Sequence, residues 1–311
     1  MKQFVWPHYL LPQKKPLQNL KYVWKLGSAI VMPTVATLSK LWMNYFNTVH
    51  IVNHRVFLDA LQRNYDEKRS ALITISNHNC CLDDPLLWGA FYPWRWNLIG
   101  SRHRWSTAAE DICFTRSLHV YFFTLGKTFP VIRGEGIYQS AMDFAIELLN
   151  DKQFLHVFPQ GKVVEDQEAI DPNQLSKPFE QLSLRDPVDT ERSYDFKWGI
   201  ARLILEAIDF DSSNNSSKYL ELLPFYHIGM NRVLPNVKPY IPQAFKKVTV
   251  CFREEGPIVF DKKFIVETCC NGNYKTTTRE RRIGITRYLE WEMKRLKLRT
   301  MREFHKQSDK K

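Results

Sequence analysis

Residues 76–85 combine side chains that proton-transfer chemistry requires. The stretch reads Ser-Asn-His-Asn-Cys-Cys-Leu-Asp-Asp-Pro. Four residues separate His78 from Asp83, which is enough for the chain to loop back and bring the carboxylate to the imidazole. Such a carboxylate fixes the tautomer of the ring, and the free ring nitrogen can accept a proton from a hydroxyl. The pair is a candidate general base with its orienting acid, although taken alone such a pair more often only shapes a loop.

Three further stretches place turn residues and cations at the ends of candidate strands. In the first, Arg133 offers a planar fork of donors for phosphate oxygens, and Gly134 lets a ligand approach the backbone. The second is a turn with a neighbouring cation that could cradle phosphate, Phe158-Pro159-Gln160-Gly161-Lys162. The third, residues 223–231, contains His227, which could be a second base but is more typical of a satisfied core histidine.

The cysteines leave one alternative chemistry open. Cys80 and Cys81 flank the candidate base and could supply a thiol nucleophile. The six cysteines form two adjacent pairs and two single residues, which is neither a metal-site spacing nor a small-protein disulfide framework. We therefore expect buried free thiols, no metal and no cofactor.

Short apolar runs alternate with helical patterns between about residues 49 and 260, and these elements must position the candidate residues. The expected strands are 71–76, 96–100, 129–132, 154–158, 220–226 and 248–252, and the expected helices are 56–65, 85–91, 107–123, 136–150 and 196–208. Pro85 suits the first position of a helix, with Asp84 as its cap. The alternation predicts an α/β fold with a largely parallel sheet flanked by helices, and places His78 at the end of a strand, where sites gather in such sheets.

The segments outside this domain differ from it in composition. Residues 1–48 form a basic N-terminal segment whose uncharged stretch, 26–39, is interrupted by Pro33, which predicts an in-plane or re-entrant membrane anchor rather than a span. The α/β domain covers 49–265 and includes an acidic exposed insertion at 164–195. Residues 266–311 form a basic helical tail, which either packs one face on the domain or touches anionic headgroups.

The composition limits the classes of partner. The 311 residues carry a net charge of +11 and 14% aromatic residues. A positive charge of this size suits nucleic acid or an acidic lipid surface. We find no nucleic-acid module, so we expect no nucleic acid and favour an anionic membrane surface. The sequence also lacks a G-x-S-x-G elbow and a dinucleotide glycine signature.

Taken together, the four blocks resemble the glycerolipid acyltransferase family. That family carries a His-x₄-Asp motif, a Gly/Phe/Arg block, a Phe-Pro-Glu-Gly block and a Pro-containing fourth block. The corresponding residues here are His78 and Asp83, Gly126, Phe129 and Arg133, Phe158 to Gly161, and Leu223-Pro224. Within the family the chain is most similar to CoA-independent phospholipid–lysophospholipid transacylases, also at Ala108–Thr115, Phe196–Ile200 and His227–Asn231. Gln160 departs from the pattern, because the family carries Glu at that position.

The resemblance implies a function and a location. It implies acyl transfer between phospholipids and lysophospholipids that remodels cardiolipin, with His78 and Asp83 as catalytic residues. The implied substrate-binding residues are Arg133, Gly134, Phe158, Pro159, Gln160, Gly161 and Lys162. It also implies a monotopic or peripheral enzyme on mitochondrial membranes that faces the intermembrane space and joins membrane-bound complexes. An acyl-CoA-dependent lysophospholipid or lysophosphatidate acyltransferase and an inactive membrane-binding protein stay open as alternatives.

Overall fold

The elements follow one another in the alternating order that the sequence predicts. The computed structural model describes residues 18–164, 196–211 and 218–308. The strands are β1 (Thr48–Val52), β2 (Ala71–Ile75), β3 (Trp105–Ala109), β4 (Thr128–Val131), β5 (Phe154–Val157), β6 (Leu220–Ile228), β7 (Lys247–Phe252) and β8 (Ile258–Phe260). The helices are α1 (Gln18–Tyr45), α2 (His54–Tyr65), α3 (Asp83–Phe91), α4 (Trp94–Asn97), α5 (Glu110–Cys113), α6 (Ser117–Leu125), α7 (Ser140–Asn150), α8 (Gly199–Ala207), α9 (Met230–Val233), α10 (Lys262–Phe264) and α11 (Thr278–Ser308). Residues 1–17 and all but the first residue of the predicted insertion lie outside these ranges.

The strands form one sheet in the order β1-β7-β6-β2-β5-β3-β4, and β8 pairs with β6. Of the seven pairings between these strands, five are parallel, while β6–β7 and β6–β8 are antiparallel. The predicted α/β fold with a largely parallel sheet is therefore confirmed. Strand β2, which leads to His78, lies between β5 and β6 near the middle of the sheet.

Helices cover both faces of the sheet, which explains the continuous apolar character of β2. Successive side chains of a strand point to opposite faces. Ile73 and Ile75 pack into a core with α7, α8 and α11, whereas Leu72 packs into a second core with Phe57 and Trp88. All five residues of β2 are buried. The strand is thus held on both sides, and the loop that follows it starts from a fixed point.

Two of the predicted elements are wrong, and three strands were not predicted. Residues 96–100 form the end of α4 and a 3₁₀ turn rather than a strand, and Leu98 and Ile99 are exposed. Short apolar runs do not by themselves distinguish a buried strand from a surface turn. Residues 107–123 are not one helix, because residues 105–109 pair with β4 and β5 as strand β3. Strands β1 and β8 were also missed.

In the described part of the N-terminal segment, one helix continues through the position where the sequence predicts an interruption. Helix α1 continues through Pro33 for 28 residues, and Tyr22–Tyr45 is long and apolar enough to cross a membrane by length and composition. One side of α1 packs on α3, where Gly89 allows close approach to Ser39 and Lys40. Trp24 also stacks on Trp105 of β3 at a ring distance of 5.5 Å. The packing along this side supports the helix across the proline.

Helix α11 packs on the sheet with the apolar face that its spacing predicts. Ile285, Leu289, Met293 and Leu296 are buried in the core. Several of its cations lie opposite acids of the turn that joins β7 and β8, as in the pair of Arg295 with Glu255 at 3.1 Å. The structure therefore supports the packing interpretation of this helix.

Candidate active site

The loop between β2 and α3 carries the candidate base, and two asparagines fix it to strand β6. Asn77 accepts a hydrogen bond from the backbone N–H of His227 at 2.9 Å and donates to the His227 carbonyl at 2.9 Å. The same amide group donates to the side-chain oxygen of Asn79 at 3.0 Å. The loop is thereby held in register with the next strand before His78 makes any contact of its own.

Asp83 is a buried carboxylate with several donors on one oxygen. Its Oδ2 atom accepts hydrogen bonds from the backbone N–H groups of Asn79 at 2.6 Å and Cys80 at 3.0 Å, and lies 2.9 Å from Nδ1 of His78. Burial alone would raise the pKa of this carboxyl. The nearby His227, the bond from His78 and the Cys80 N–H outweigh that effect and lower the pKa of Asp83 below its usual value. The group is therefore an anion at neutral pH.

His78 lies between this anion and an aromatic ring. Its ring stacks on Phe158 at a centroid distance of 4.0 Å, with the two planes only 18° apart. The backbone carbonyl of His78 accepts a hydrogen bond from Val164 N–H at 2.8 Å. With Nδ1 on Asp83, the Nε2 atom has no hydrogen-bond partner among the described residues, and the side chain is 18% exposed. The imidazole is thus oriented by two contacts while one nitrogen stays accessible.

The turn after β5 lies beside His78, because β5 and β2 are neighbouring parallel strands. Gly161 adopts a φ of 67°, which favours glycine, and its N–H donates to the Phe158 carbonyl at 3.0 Å. Gln160 is buried, and its Oε1 atom has no hydrogen-bond partner in the described part of the chain. Pro159 accepts a bond from Lys197 N–H, and Lys162 is exposed. The turn thus offers one buried amide and one exposed cation.

Arg133 and Gly134 lie at the same end of the sheet but at its edge. They follow β4, which is separated from β2 by β5 and β3, a lateral distance of about 14 Å from the spacing of strands. The exposed Arg133 guanidinium pairs with Asp111 of α5. Gly134 has a φ of 89°, and nothing lies within 4 Å of the place where a Cβ would stand. The structure thus places these two residues away from the base, with an open backbone beside the cation.

His227 is a buried core histidine, which is the position that its sequence context favours. It is fully buried, and its Nε2 atom lies 3.0 Å from the Asn77 carbonyl, which makes that nitrogen the donor. The same atom lies 3.6 Å from Oδ2 of Asp83. His227 therefore lies against the buried Asp83 carboxylate and helps to stabilise its negative charge.

Comparison with known proteins assigns the chain to a family. A family model described as Acyltransferase matches residues 61–227, which is more than half of the chain. The chain belongs to the acyltransferase family.

Three relatives and one solved structure are similar to this chain. The chain is 35% identical to "Tafazzin" of Drosophila melanogaster over 75% of this chain and 52% of the relative, and 33% identical to "Taffazin" of Dictyostelium discoideum over 69% and 64%. It is 33% identical to "N-acylphosphatidylethanolamine synthase" of Arabidopsis thaliana over 76% of this chain and 72% of the relative. The solved PlsC acyltransferase of Thermotoga maritima aligns with a TM-score of 0.48 and 14% identity, over 90% of this chain and 84% of that one. The chain is thus similar to tafazzins within the acyltransferase family, and spans about half the length of the Drosophila relative.

Two of the cysteines near the site, Cys80 and Cys113, do not resemble activated nucleophiles. Burial, and then the nearby Asp83 anion, raise the pKa of the Cys80 thiol far above its usual value. Burial also raises the pKa of Cys113, with a further contribution from its neighbour Cys81. Cys81 is exposed. Among the described residues, no group of three or more His, Cys, Asp or Glu side chains could hold a metal ion.

A buried ion pair beside the site was not predicted from the sequence. Arg104 is buried and pairs with Asp84, which therefore does not cap α3 with its carboxylate as the sequence predicts. Burial lowers the pKa of Arg104 to about 9. His156 of β5 is a second missed residue, since its ring lies edge-on to Phe158 at 4.5 Å, and burial lowers its pKa well below the usual value. The adjacent Asp83 and Asp84 are the signal in the sequence that could have indicated a cationic partner. Two carboxylates this close repel each other unless positive charges lie nearby.

Proposed function

We propose that this acyltransferase moves an acyl chain from a phospholipid to a lysophospholipid without CoA. The observation that carries the proposal is the geometry of His78, with Nδ1 at 2.9 Å from the buried Asp83 carboxylate and Nε2 left accessible. The similarity to tafazzins supports the choice of a lipid donor. His78 and Asp83 are the proposed catalytic residues.

In the proposed mechanism, His78 acts first as a base and then as an acid. Nε2 accepts the proton of the lysolipid hydroxyl while that oxygen attacks the ester carbonyl of the donor phospholipid. The tetrahedral intermediate collapses, the donor's glycerol oxygen leaves, and the imidazolium returns the proton to it. Asp83 stays ionised throughout and stabilises the imidazolium, as its lowered pKa allows. Atoms and charge balance with no added reagent.

We propose that the turns after β4 and β5 bind the phosphate groups of the lipid. Lys162 is an exposed cation in the turn after β5, and Arg133 with Gly134 follows β4, two strand spacings or about 10 Å away. Phe158, Pro159, Gln160 and Gly161 precede Lys162 in its turn and are proposed to contact the lipid beside His78. A separation of this size suits a lipid with more than one phosphate. We propose cardiolipin and monolysocardiolipin as the substrates, in accord with the resemblance.

We further propose a location on mitochondrial membranes, facing the intermembrane space. The apolar helix α1 supports membrane association, and its exposed face includes Val23, Leu26 and Ile30. The similarity to tafazzins supports the organelle. An anionic membrane surface and membrane-bound complexes are the proposed partners. The division into an anchor segment, a domain at 49–265 and a tail at 266–311 is proposed with them.

A second candidate acceptor comes from one relative. The Arabidopsis protein is named as an N-acylphosphatidylethanolamine synthase, and this chain covers 72% of it. The same base could remove a proton from the headgroup amine of phosphatidylethanolamine instead of a lysolipid hydroxyl. The two candidates differ in the bond formed, an amide or an ester.

A transfer assay with purified protein tests these proposals. Phosphatidylcholine with a labelled acyl chain is mixed with a lysolipid or with phosphatidylethanolamine, with and without acyl-CoA. Labelled diacyl product from the lysolipid without acyl-CoA is the expected result. Diacyl product that carries the chain of acyl-CoA, with no transfer from phosphatidylcholine, would assign a CoA-dependent acyltransferase. A labelled amide product would assign the N-acyl reaction, and no product under any condition would contradict enzymatic function.

The variant His78→Ala tests the proposed base in the same assay. Loss of a general base is expected to slow transfer by at least about 100-fold while the protein stays folded. His50→Ala is the matched control, because His50 is an exposed histidine on β1 at the far edge of the sheet. Full activity of His78→Ala would exclude the mechanism. Loss of all activity on replacing Cys80 and Cys81 by Ser would instead favour a thiol nucleophile.

A further inference from the structure

The segment that joins α9 to β7, here the 235–246 loop, presents apolar side chains to water. Val237, Tyr240 and Ile241 are exposed, and Phe245 is 89% exposed. Single exposed apolar residues are ordinary on protein surfaces, but four within nine residues give this loop an apolar tip. Such a tip marks a place where the protein contacts something other than water.

The loop is held in this conformation by hydrogen bonds at its end. Phe245 N–H donates to the Phe46 carbonyl at 2.6 Å, and Lys246 N–H donates to the side chain of Asn47 at 2.9 Å. Phe245 has a φ of 61°, which is strained for a bulky side chain. The fold therefore maintains an unfavourable backbone conformation that directs a phenyl ring outward.

The apolar tip is continuous with the end of the candidate membrane helix. Phe46, whose carbonyl binds the loop, directly follows α1 and is itself exposed, as is Tyr45. At its other end the loop meets the candidate active site, because Asn236 donates to the Asn79 carbonyl at 3.1 Å. Hydrogen bonds thus connect the loop both to the end of α1 and to the residue next to His78.

The charges along this part of the chain have one sign. No acidic residue occurs between Glu221 and Glu254, whereas Lys238 and Lys246 lie within the loop. Apolar and aromatic side chains flanked by lysines match the interface of a bilayer that contains acidic lipids, where rings sit at headgroup depth and lysines meet phosphate. A protein partner would not require this exclusion of acids.

We infer that the 235–246 loop inserts into the interface of an anionic lipid bilayer and forms a second membrane contact beside α1. The loop anchors the end of the molecule that carries the candidate site. Because Asn236 binds next to His78, insertion of the tip places the opening of the site at headgroup level. The inference concerns binding, so its test does not depend on the proposed reaction.

Co-sedimentation of the full chain with vesicles tests the apolar contact. The variant combines Val237→Ser, Ile241→Ser and Phe245→Asn, because Asn tolerates a positive φ and preserves the loop. Its affinity for vesicles of phosphatidylcholine and phosphatidylglycerol is expected to fall by about tenfold or more. The matched control combines Val259→Ser and Tyr274→Ser, two exposed apolar residues outside the loop, and is expected to bind as the wild type does.

Two further arms make the outcome decisive. Lys238→Gln with Lys246→Gln is expected to weaken binding to phosphatidylglycerol vesicles by about fivefold per lysine, and to leave binding to pure phosphatidylcholine unchanged. Phe245→Trp is expected to retain binding. Wild-type affinity of the triple variant would overturn the inference. Dissociation of a dimer in the triple variant, with vesicle binding intact, would assign the loop to a second copy of the chain and would also overturn it.

Discussion

One oxygen of Asp83 organises the candidate site at the scale of single residues. Oδ2 accepts two backbone N–H groups from the loop that carries His78 and faces the ring of His78 itself. The same atom therefore shapes the loop and orients the candidate base. The loop hydrogen bond that the sequence favours for the pair alone is present, and the same contact has the geometry that the proposed catalytic pair requires.

Replacing Asp83 by Asn is expected to reduce transfer activity by about 100-fold or more, since the amide cannot stabilise the imidazolium. We also expect lower stability, because an amide accepts the two backbone N–H groups more weakly than an anion does. Steady-state transfer rates and urea unfolding measure the two effects. An Asn variant with wild-type rates would show that the carboxylate only shapes the loop.

The sequence predicted that His78 and Asp83 meet and that residues 158–162 form a turn. Both predictions depend only on residue types and on spacing along a short stretch of chain. It did not predict that Phe158 stacks on His78, or that Arg104 pairs with Asp84, because these contacts depend on which strands become neighbours. The position of Arg133 shows the same limit. Its type suggested phosphate, but only the strand order places it at the edge of the sheet.

At the scale of elements, the contact between α1 and α3 depends on one glycine. A Cβ at Gly89 would lie 2.5 Å from Ser39 Cβ, 2.6 Å from Lys40 N and 2.8 Å from the Ala36 carbonyl oxygen. Two of these atoms belong to the backbone, so they cannot move aside without shifting the helix. Lys40 reinforces the contact by donating to the Tyr92 carbonyl at 2.7 Å.

The variant Gly89→Ala is therefore expected to destabilise the protein by about 2–3 kcal/mol, because α1 must move away from α3. Gly100→Ala is the matched control. Gly100 also faces α1, but its nearest atom would lie at an ordinary 3.4 Å. Urea unfolding of both variants gives the comparison, and equal stability of the two would show that α1 yields at this contact.

The same scale explains why α1 continues through Pro33 and why the strand predicted at residues 96–100 is wrong. Pro33 would break an isolated helix, but α1 is packed along one side on α3 and α6, and this packing outweighs the local preference. The run at 96–100 has strand-like composition, yet it pairs with none of the described strands. In both cases the secondary structure depends on tertiary packing, which cannot be derived from the local sequence.

At the scale of the whole molecule, several charged groups are buried where ordinary globular proteins place apolar ones. Burial, with smaller contributions from Arg104 and Lys68, lowers the pKa of Lys127 to about 7. Its ammonium group donates to the carbonyls of Ser101 and His103. Because the unfolded chain binds this proton up to a higher pH than the folded chain, folding becomes more favourable as the pH rises above about 7.

We expect the free energy of unfolding to rise between about pH 7 and pH 9, by up to about 1.4 kcal/mol per pH unit. Lys127→Met is expected to remove this rise, since no buried amine remains at this position to lose its proton. Urea unfolding at several pH values measures it. A rise of the same size in both proteins would assign the effect to other groups.

The bonds between Asn77 and His227 join residues 150 positions apart. During synthesis, His78, Asp83 and Phe158 all leave the ribosome long before β6 does, so the nascent chain carries the reactive side chains without the strand that fixes their loop. Contacts between such distant residues form late in folding. Catalytic competence should consequently appear only in chains that extend through β6, and a chain that ends earlier should be inert toward the lipids around it.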